Sequence, residues 1–263
     1  MQRLFLPPNQ ITGDTAHIIG PDHLHLARVL RARAGQSVIV LDGRGNAFRA
    51  VLVSIEKNET IAQIEETVTA APEPPVILTI AQALGKGDKF EQVVQHGTEA
   101  GASAFVPVRA ERCVADVPEA KVAERVARWQ QIAKSAAEQS GRTIIPHVAA
   151  PLTFKQLLDE YVHMRLDPQQ PDCLLLHPDP SAQPLSRILP TLKKPLSRSA
   201  RCIIVLAIGP EGGWSPAEVL QAQNANIPLV TLGPHILRTE TAALVAISQI
   251  LYHFNAQQIE REF

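Results

Sequence analysis

No stretch of this sequence is long and apolar enough to span a bilayer; the longest continuous run, "CIIVLAIG", is the length of a strand. The opening "MQRLFLPPNQ" has one arginine, a short apolar stretch and no small-residue cleavage pattern, so no signal peptide is expected. Cysteine is scarce. Cys113, Cys173 and Cys202 are an odd number without CxxC spacing, and the last two sit in apolar runs, which reads as buried thiols in a reducing cytoplasm. A charge excess is missing as well: the formal net charge is −1, too weak a field for strong non-specific binding to nucleic acid. These absences describe a soluble, cytoplasmic protein with no membrane partner.

Three familiar motifs are also lacking. Neither the dinucleotide pattern GxGxxG, nor the phosphate loop GxxxxGK[ST], nor the nucleophile elbow GxSxG occurs, and "GKGDKF" at residues 85–90 fits none of them. His23 and His25 lack further ligand-type neighbours, so no metal site is expected and both read as surface residues.

What is present suffices for one large domain or two modest ones, since 45% of the 263 residues are hydrophobic and 19% charged. Three strand-length apolar stretches lie between Gln36 and Val68, broken at Asp42–Asn46 and Lys57–Glu59. Before them, Leu24, Ala27 and Leu30 recur at helical spacing up to a stop at Gly35. "TAAPEPPV" at residues 69–76 resists helix and central strand alike and reads as a linker.

Beyond it, strands alternate with helices. "VILTIAQAL" is a buried strand, "DKFEQVVQHGTEAGAS" a helix capped by Asp88 and stopped by Gly101, and "AFVPV" a short strand. A long helix follows, capped by Asp116 and ended by Gly141, with Val122, Val126, Trp129 and Ala133 on one face. Further strands are expected at 144–148, 173–177, 202–208 and 229–232, and helices at 153–161, 215–225 and 239–254, with loops at "DPQQP" and "LKKPLSRS". The alternation predicts an α/β domain on a parallel sheet.

The most telling segment is "AIGPEGGWSPAE", residues 207–218. Ser215-Pro216-Ala217-Glu218 is a capping box, so the glycine loop runs from the carboxyl end of a strand into a helix N-terminus. In parallel sheets ligands gather there, although a tight turn alone would also use glycines. A second strand-end loop, "LGPHILRTETA", brings Arg238 to the start of the last helix. Two consecutive loops with convergent polar groups suggest one shared pocket.

Together, "IGPEGGWSPAE" and "LGPHILRTETA" resemble the RsmE family of SPOUT-class RNA methyltransferases, as do "HLHLARVLRARAGQSVIVLDGRGNAF", "KGDKFEQVVQHGTEAG", "PVRAERC" and "RWQQIAKSAAEQSGRTIIP". The resemblance spans the chain. It implies a PUA-like RNA-binding β-barrel over residues 1–72 and a SPOUT α/β domain with a deep trefoil knot over 73–263. It further implies S-adenosylmethionine as cofactor, methylation of uridine N3 in small-subunit (16S) ribosomal RNA within the small ribosomal subunit, and a homodimer. The implied cofactor positions are Leu176, His177, Ile208, Gly209, Pro210, Glu211, Gly212, Gly213, Leu232, Gly233, Ile236 and Leu237. His96, Ala100 and His235 stand where the family usually has lysine, leucine and arginine.

Uracil N3 holds a proton at neutral pH, so a cation that stabilises the developing anion would assist; Arg238 is the candidate, with a phosphate clamp or an ion pair to Glu211 or Glu240 as the alternatives. Glu211 is the second catalytic candidate, positioning loop or substrate. For RNA, Arg28, Arg31, Arg33, Arg44 and Arg49 face a single acid, Asp42, between His23 and Ala50. Arg3 matches a family position, and Arg3, Arg28, Arg31 and Arg33 are the RNA-binding candidates. Ala243, Ile247, Ile250 and Leu251 form a stripe fit for a dimer contact or for the core. Two rivals remain: a non-catalytic RNA-binding assembly factor on the same fold, and an α/β enzyme binding a nucleotide for small-molecule chemistry.

Overall fold

The computed structural model describes residues 1–164, 172–179, 181–192 and 201–262; "DPQQP" and all of "LKKPLSRS" after Leu192 lie outside them. The chain divides into two compact units, Met1–Glu73 with Lys134–Ile145, and Pro74–Ala133 with Pro146–Phe263.

Period-two alternation builds the first unit. In β4 (Ser37–Leu41) and β5 (Ala47–Ile55), Val38, Val40, Ala50 and Leu52 turn inward, and β6 (Glu59–Val68) adds Ala62. The Asp42–Asn46 turn closes as expected: the Asp42 carboxylate accepts from the backbone N–H of Arg44 (2.8 Å) and Asn46 (3.1 Å). Three strands not anticipated from the sequence complete the sheet, β1 (Gln2–Phe5), β2 (Ile11–Thr12) and β3 (Thr15–Ile19), in the order β1-β4-β5-β6-β3-β2. β1 runs parallel to β4 and the other pairs are antiparallel.

The helix expected to run to Gly35 is shorter. α1 (Gly20–Leu24) passes into one π-turn at His25–Val29, and Arg31 then takes φ +50°, a left-handed conformation that ends it. The widened turn rotates the apolar face, so Leu26 is buried while Leu24 and Leu30 are exposed. His23 is a second correction. It is buried rather than on the surface, because Thr60 Oγ1 lies 2.9 Å from its Nδ1 and the Lys57 carbonyl 3.3 Å from its Nε2, which satisfies both ring nitrogens.

The second unit holds a parallel sheet of β7 (Val76–Ala83), β8 (Ala104–Arg109), β9 (His147–Val148), β10 (Leu152–Thr153), β11 (Asp172–Leu176), β12 (Gln183–Pro184), β13 (Cys202–Ile208) and β14 (Leu229–Thr231). Their order is β10-β8-β7-β13-β11-β14-β12, with β9 also on β8. Central β7 and β13 read as continuous apolar runs because both their faces are covered. On one side the core takes Phe154 and Leu157 from α4 (Phe154–Met164) and Trp214.

Elsewhere α2 (Lys89–Ala100) packs on α7 (Thr239–Glu262). Gly97 permits that approach: a Cβ there would come within 2.7 Å of the Phe105 ring and 3.3 Å of Ile247. The α7 stripe of Ala243, Ile247, Ile250 and Leu251 is therefore core and not a free dimer face. Leu244 and Tyr252 occupy the exposed side.

Two expected caps differ. Asp88 stands at the N-cap of α2 without a side-chain capping bond, though Gly101 ends that helix in the left-handed region at φ +110°. Asp116 does not cap α3 (Val122–Ser140), since Pro118 keeps the preceding backbone extended and a single 3-10 turn at Glu119–Lys121 intervenes. Asp116 instead accepts from the Val117 N–H and pairs with Arg109 at 3.1 Å. The expected strand at 144–148 is reduced to His147–Val148. α3 gives its last turns to the first unit, where Ala137 joins Phe5 and Leu41, and Glu138 accepts from the Phe5 N–H at 3.0 Å.

Candidate functional site

Strand register fixes where the site forms. β11 lies between β13 and β14, pairing Leu176 with Ile208 on one side and Val230 on the other. Three carboxyl ends therefore sit side by side, and the loops leaving them surround a cavity of about 540 Å³.

The glycine loop turns tightly from Pro210 to Gly213, whose N–H donates to the Pro210 carbonyl at 2.8 Å and whose φ is +69°. Beyond it, α6 (Pro216–Asn224) starts with the anticipated capping box: Ser215 Oγ accepts from the Glu218 N–H and Glu218 Oε2 from the Ser215 N–H. Glu218 Oε1 accepts from the Glu111 N–H at 2.8 Å, so the same buried carboxylate ties in the loop after β8.

Each remaining glycine has its own neighbour. A Cβ on Gly209 would meet the Trp214 ring at 3.2 Å, and one on Gly212 would meet Arg112 at 3.3 Å. Trp214 is buried against Phe154, with ring centroids 4.8 Å apart, and its Nε1–H donates to the Leu176 carbonyl at 3.1 Å. Arg112 Nη1 donates to the carbonyls of Gly212 (3.1 Å) and Trp214 (3.4 Å). Thus one indole joins two of the three loops, and one guanidinium holds the third residue of the turn.

Leu176, His177, all of Ile208–Gly213, Leu232, Ile236 and Leu237 border the cavity, as does Arg238. Gly233 does not; it forms a turn at φ +147° whose carbonyl accepts from Thr231 Oγ1 at 3.1 Å. Lys89, Trp214 and Thr239 line it without having been anticipated. Trp214 and Thr239 lie inside the two quoted loop motifs, where they read as ordinary packing and helix-start residues; Lys89, the first residue of α2, is far from both in sequence.

Lys89 alters the reading of the carboxylates. Its Nζ lies 2.9 Å from Glu211 Oε1 and 3.6 Å from Glu240 Oε2, while the Lys86 N–H donates to Glu211 Oε1 at 3.2 Å. The hydrogen bond to Glu211 outweighs burial and raises the Lys89 pKa; burial would raise that of Glu211, but hydrogen bonds from Lys89 and backbone N–H groups lower it below the ordinary 4.5. The pair is thus ionised at neutral pH. A carboxylate with a depressed pKa stabilises the folded loop above the ordinary value and stops doing so as pH falls through the folded one. Ligand affinity at this cavity should therefore hold at neutral pH and decline below about pH 4.5, and a Lys89→Met variant should be weakened already at pH 7. Calorimetry across pH checks both; equal affinity of variant and wild type at pH 7 would refute the latch.

With Glu211 bonded to Lys89 and Glu240 Oε2 3.6 Å from the same ammonium, Arg238 has no ion-pair partner among the described residues and is exposed at the rim. His235 is exposed at the same rim, and His96 lies exposed on α2. In the first unit Arg28, Arg31 and Arg33 are exposed, whereas Arg49 pairs with Glu65 and Glu66. Arg3 is half-buried beside Gly141. Among the described residues no cluster of three or more histidines, cysteines or acids could hold a metal, and no helix is long and apolar enough to cross a membrane.

Comparison with known proteins gives matches at several levels. Residues 72–251 match an RNA methyltransferase domain family and residues 20–65 an RNA methyltransferase PUA domain family. The chain is 34% identical over 262 residues to the ribosomal RNA small subunit methyltransferase E of Bacillus subtilis (strain 168), covering 96% of each. It is 38% identical over 248 residues to the protein of that name from Synechocystis, covering 94% of this chain and 76% of the other. Among solved structures, ribosomal RNA small subunit methyltransferase E from Neisseria gonorrhoeae, bound to S-adenosyl methionine, superposes with a TM-score of 0.81 at 33% identity, covering 97% of this chain and 98% of the other. A putative methyltransferase from Legionella pneumophila in complex with the same cofactor gives 0.82 at 28% identity, covering 95% and 97%.

Proposed function

Because the chain belongs to the ribosomal RNA small subunit methyltransferase E family, we propose that it methylates N3 of a uridine in small-subunit ribosomal RNA with S-adenosylmethionine as donor. The chain is an S-adenosylmethionine-dependent ribosomal RNA methyltransferase with a PUA-type first unit and a SPOUT-type second one. The nucleotide, the atom and the residue roles are this reading's own. The observation that carries it is the cavity at three adjoining strand ends, walled by Ile208–Gly213 and by the loop that delivers Arg238.

The residues suit the cofactor. Leu176, Ile208, Leu232, Ile236 and Leu237 offer apolar surface for a planar base, and the glycine turn offers backbone groups without side chains in the way. Leu176, His177, Ile208–Gly213, Leu232, Ile236 and Leu237 would hold it. When bound, S-adenosylmethionine supplies a methyl group already activated by its sulfonium, which leaves the protein to orient the acceptor and manage one proton.

Uracil N3 is a poor nucleophile until its proton leaves. Arg238, with no carboxylate partner among the described residues, lowers the cost of the uracil anion that forms as the N3 proton leaves and that then attacks the methyl group. Glu211 is a positioning group: its Oε1 is committed to Lys89 and the Lys86 N–H, and a lowered pKa makes it a weak base. Arg28, Arg31 and Arg33, together with Arg3, supply phosphate contacts from the first unit. With the family comes the expectation of a deep trefoil knot around Ile208–Gly213 and Leu232–Leu237.

The test is to incubate the protein with labelled S-adenosylmethionine and undermethylated small subunits, then map the modified nucleotide. Label at uridine N3 is expected; label at another atom refutes the specificity, and RNA binding without transfer favours a non-catalytic assembly factor. The same reading includes a cytoplasmic homodimer, which would use Leu244 and Tyr252 on the open side of α7. Light scattering at micromolar concentration should give twice the chain mass, and a fully active monomer would exclude it.

A further inference from the structure

We propose that Gln82 and Thr239 form a directional hydrogen-bond relay that holds the Gly209 carbonyl and so sets the shape of the cofactor cavity, which makes both of them positioning residues for methyl transfer. The proposal rests on assigning that cavity to S-adenosylmethionine.

The β7–β13 register puts Gln82 opposite Ile208, the last residue before the glycine loop. Gln82 is 1% exposed and Thr239, the first residue of α7, is 8% exposed. Gln82 Nε2 lies 2.7 Å from Thr239 Oγ1, and Thr239 Oγ1 lies 2.7 Å from the Gly209 carbonyl oxygen. Three segments remote in sequence thus meet through two short bonds.

The direction of the relay follows from counting protons. A carbonyl can only accept, so the one hydroxyl proton of Thr239 goes to Gly209. That hydroxyl must then accept from Gln82, which turns the amide N–H toward it and leaves Oε1 on the other side, where it has no hydrogen-bond partner among the described residues. A buried acceptor without a partner is unfavourable, and an apolar side chain of similar size would avoid it. Around Gln82 the strand is apolar and buried, with Ile80, Ala81 and Ala83. The amide thus disfavours the fold locally, which points to a role in setting the loop.

Gly209 needs such a hold. It has no side chain to lock by packing, and Pro210 contributes no N–H, so the Gly209 carbonyl is the only polar handle on the peptide between them. Fixing that oxygen fixes the direction in which the turn enters the cavity.

The test uses the full chain, with S-adenosylmethionine binding by calorimetry and single-turnover methylation. Thr239→Val keeps the shape and removes both bonds; affinity should fall about tenfold, and Thr239→Ser should restore most of it. Gln82→Glu separates positioning from packing. Ionised, the new carboxylate can only accept, so the Thr239 proton turns to it and Gly209 is released; protonated, it donates and the relay is rebuilt. Affinity of Gln82→Glu relative to wild type should therefore rise as pH is lowered from 9 to 6 (roughly the range in which a buried carboxyl titrates). Taking the ratio to wild type cancels Lys89, Glu211, Glu240, His177 and His235, which surround the same cavity in both proteins. Wild-type affinity in Thr239→Val, or a pH-independent ratio in Gln82→Glu, overturns the relay. Should Thr239→Val fail to fold, the Gln82→Glu ratio decides. Failure of the wild type to bind the cofactor would instead overturn the cavity's assignment.

Discussion

Replacing Arg238 with alanine should slow the methyl-transfer step roughly 10²–10³-fold, the usual loss for one electrostatic stabiliser once bound RNA excludes water from the exposed rim, while barely changing cofactor affinity. The reason lies in how the nearby charges are distributed. Glu211 and Glu240 were the natural partners for this arginine, yet both carboxylates turn to Lys89. Arg238 keeps its charge for the substrate, and its backbone is fixed where α7 begins, its carbonyl accepting from the Ala242 N–H at 2.7 Å. An interaction realised mainly in the transition state shows in turnover rather than in binding. Arg238→Lys should recover little if a planar, two-pronged contact is needed. Single-turnover methylation with saturating subunits, alongside separate binding measurements, checks this. A normal rate with weakened RNA binding would make Arg238 a phosphate clamp and remove it from the chemistry.

The second large effect is expected at Gly209. Gly209→Val would press a branched side chain onto the Trp214 indole, which even a Cβ approaches within 3.2 Å. That indole cannot retreat, being buried against Phe154 and bonded to the Leu176 carbonyl. The glycine loop must move instead, at a cost of about 1–3 kcal/mol for overpacking, equivalent to about 5- to 150-fold weaker cofactor binding. Circular dichroism should be unchanged, because the sheet beneath is intact. Gly212→Val acts differently, through Arg112, whose grip on the Gly212 carbonyl it would loosen. Calorimetric affinity equal to wild type in Gly209→Val would show that this loop does not wall the cofactor site.

Much of the fold was legible because its signals are local. The Ser215–Glu218 capping box, the Gly101 and Gly141 stops and the Asp42–Asn46 turn each depend on a few adjacent residues, and each formed as read. Legibility failed where a distant neighbour decides. His23 looked like a surface residue until Thr60 gave it a partner, and β1 is a strand only because β4 lies beside it. The site divides in the same way. Its two loops stand out as strings of glycine, proline and polar residues, whereas Lys89 and Gln82 carry no local mark and gain meaning only from the groups they meet.

The sheet register also bears on how the protein is made. β7, at residues 76–83, pairs with β13, at residues 202–208, so the two central strands join only after a long intervening segment has been ordered or looped out. On the ribosome, β7 leaves the tunnel with its apolar faces open and waits for most of the second unit before it can be covered. The first unit needs no such delay for its antiparallel strands, since β4, β5 and β6 are successive hairpins. Synthesis therefore yields an early barrel-side sheet and a late cavity, and the interval between them is when this chain most depends on protection from aggregation.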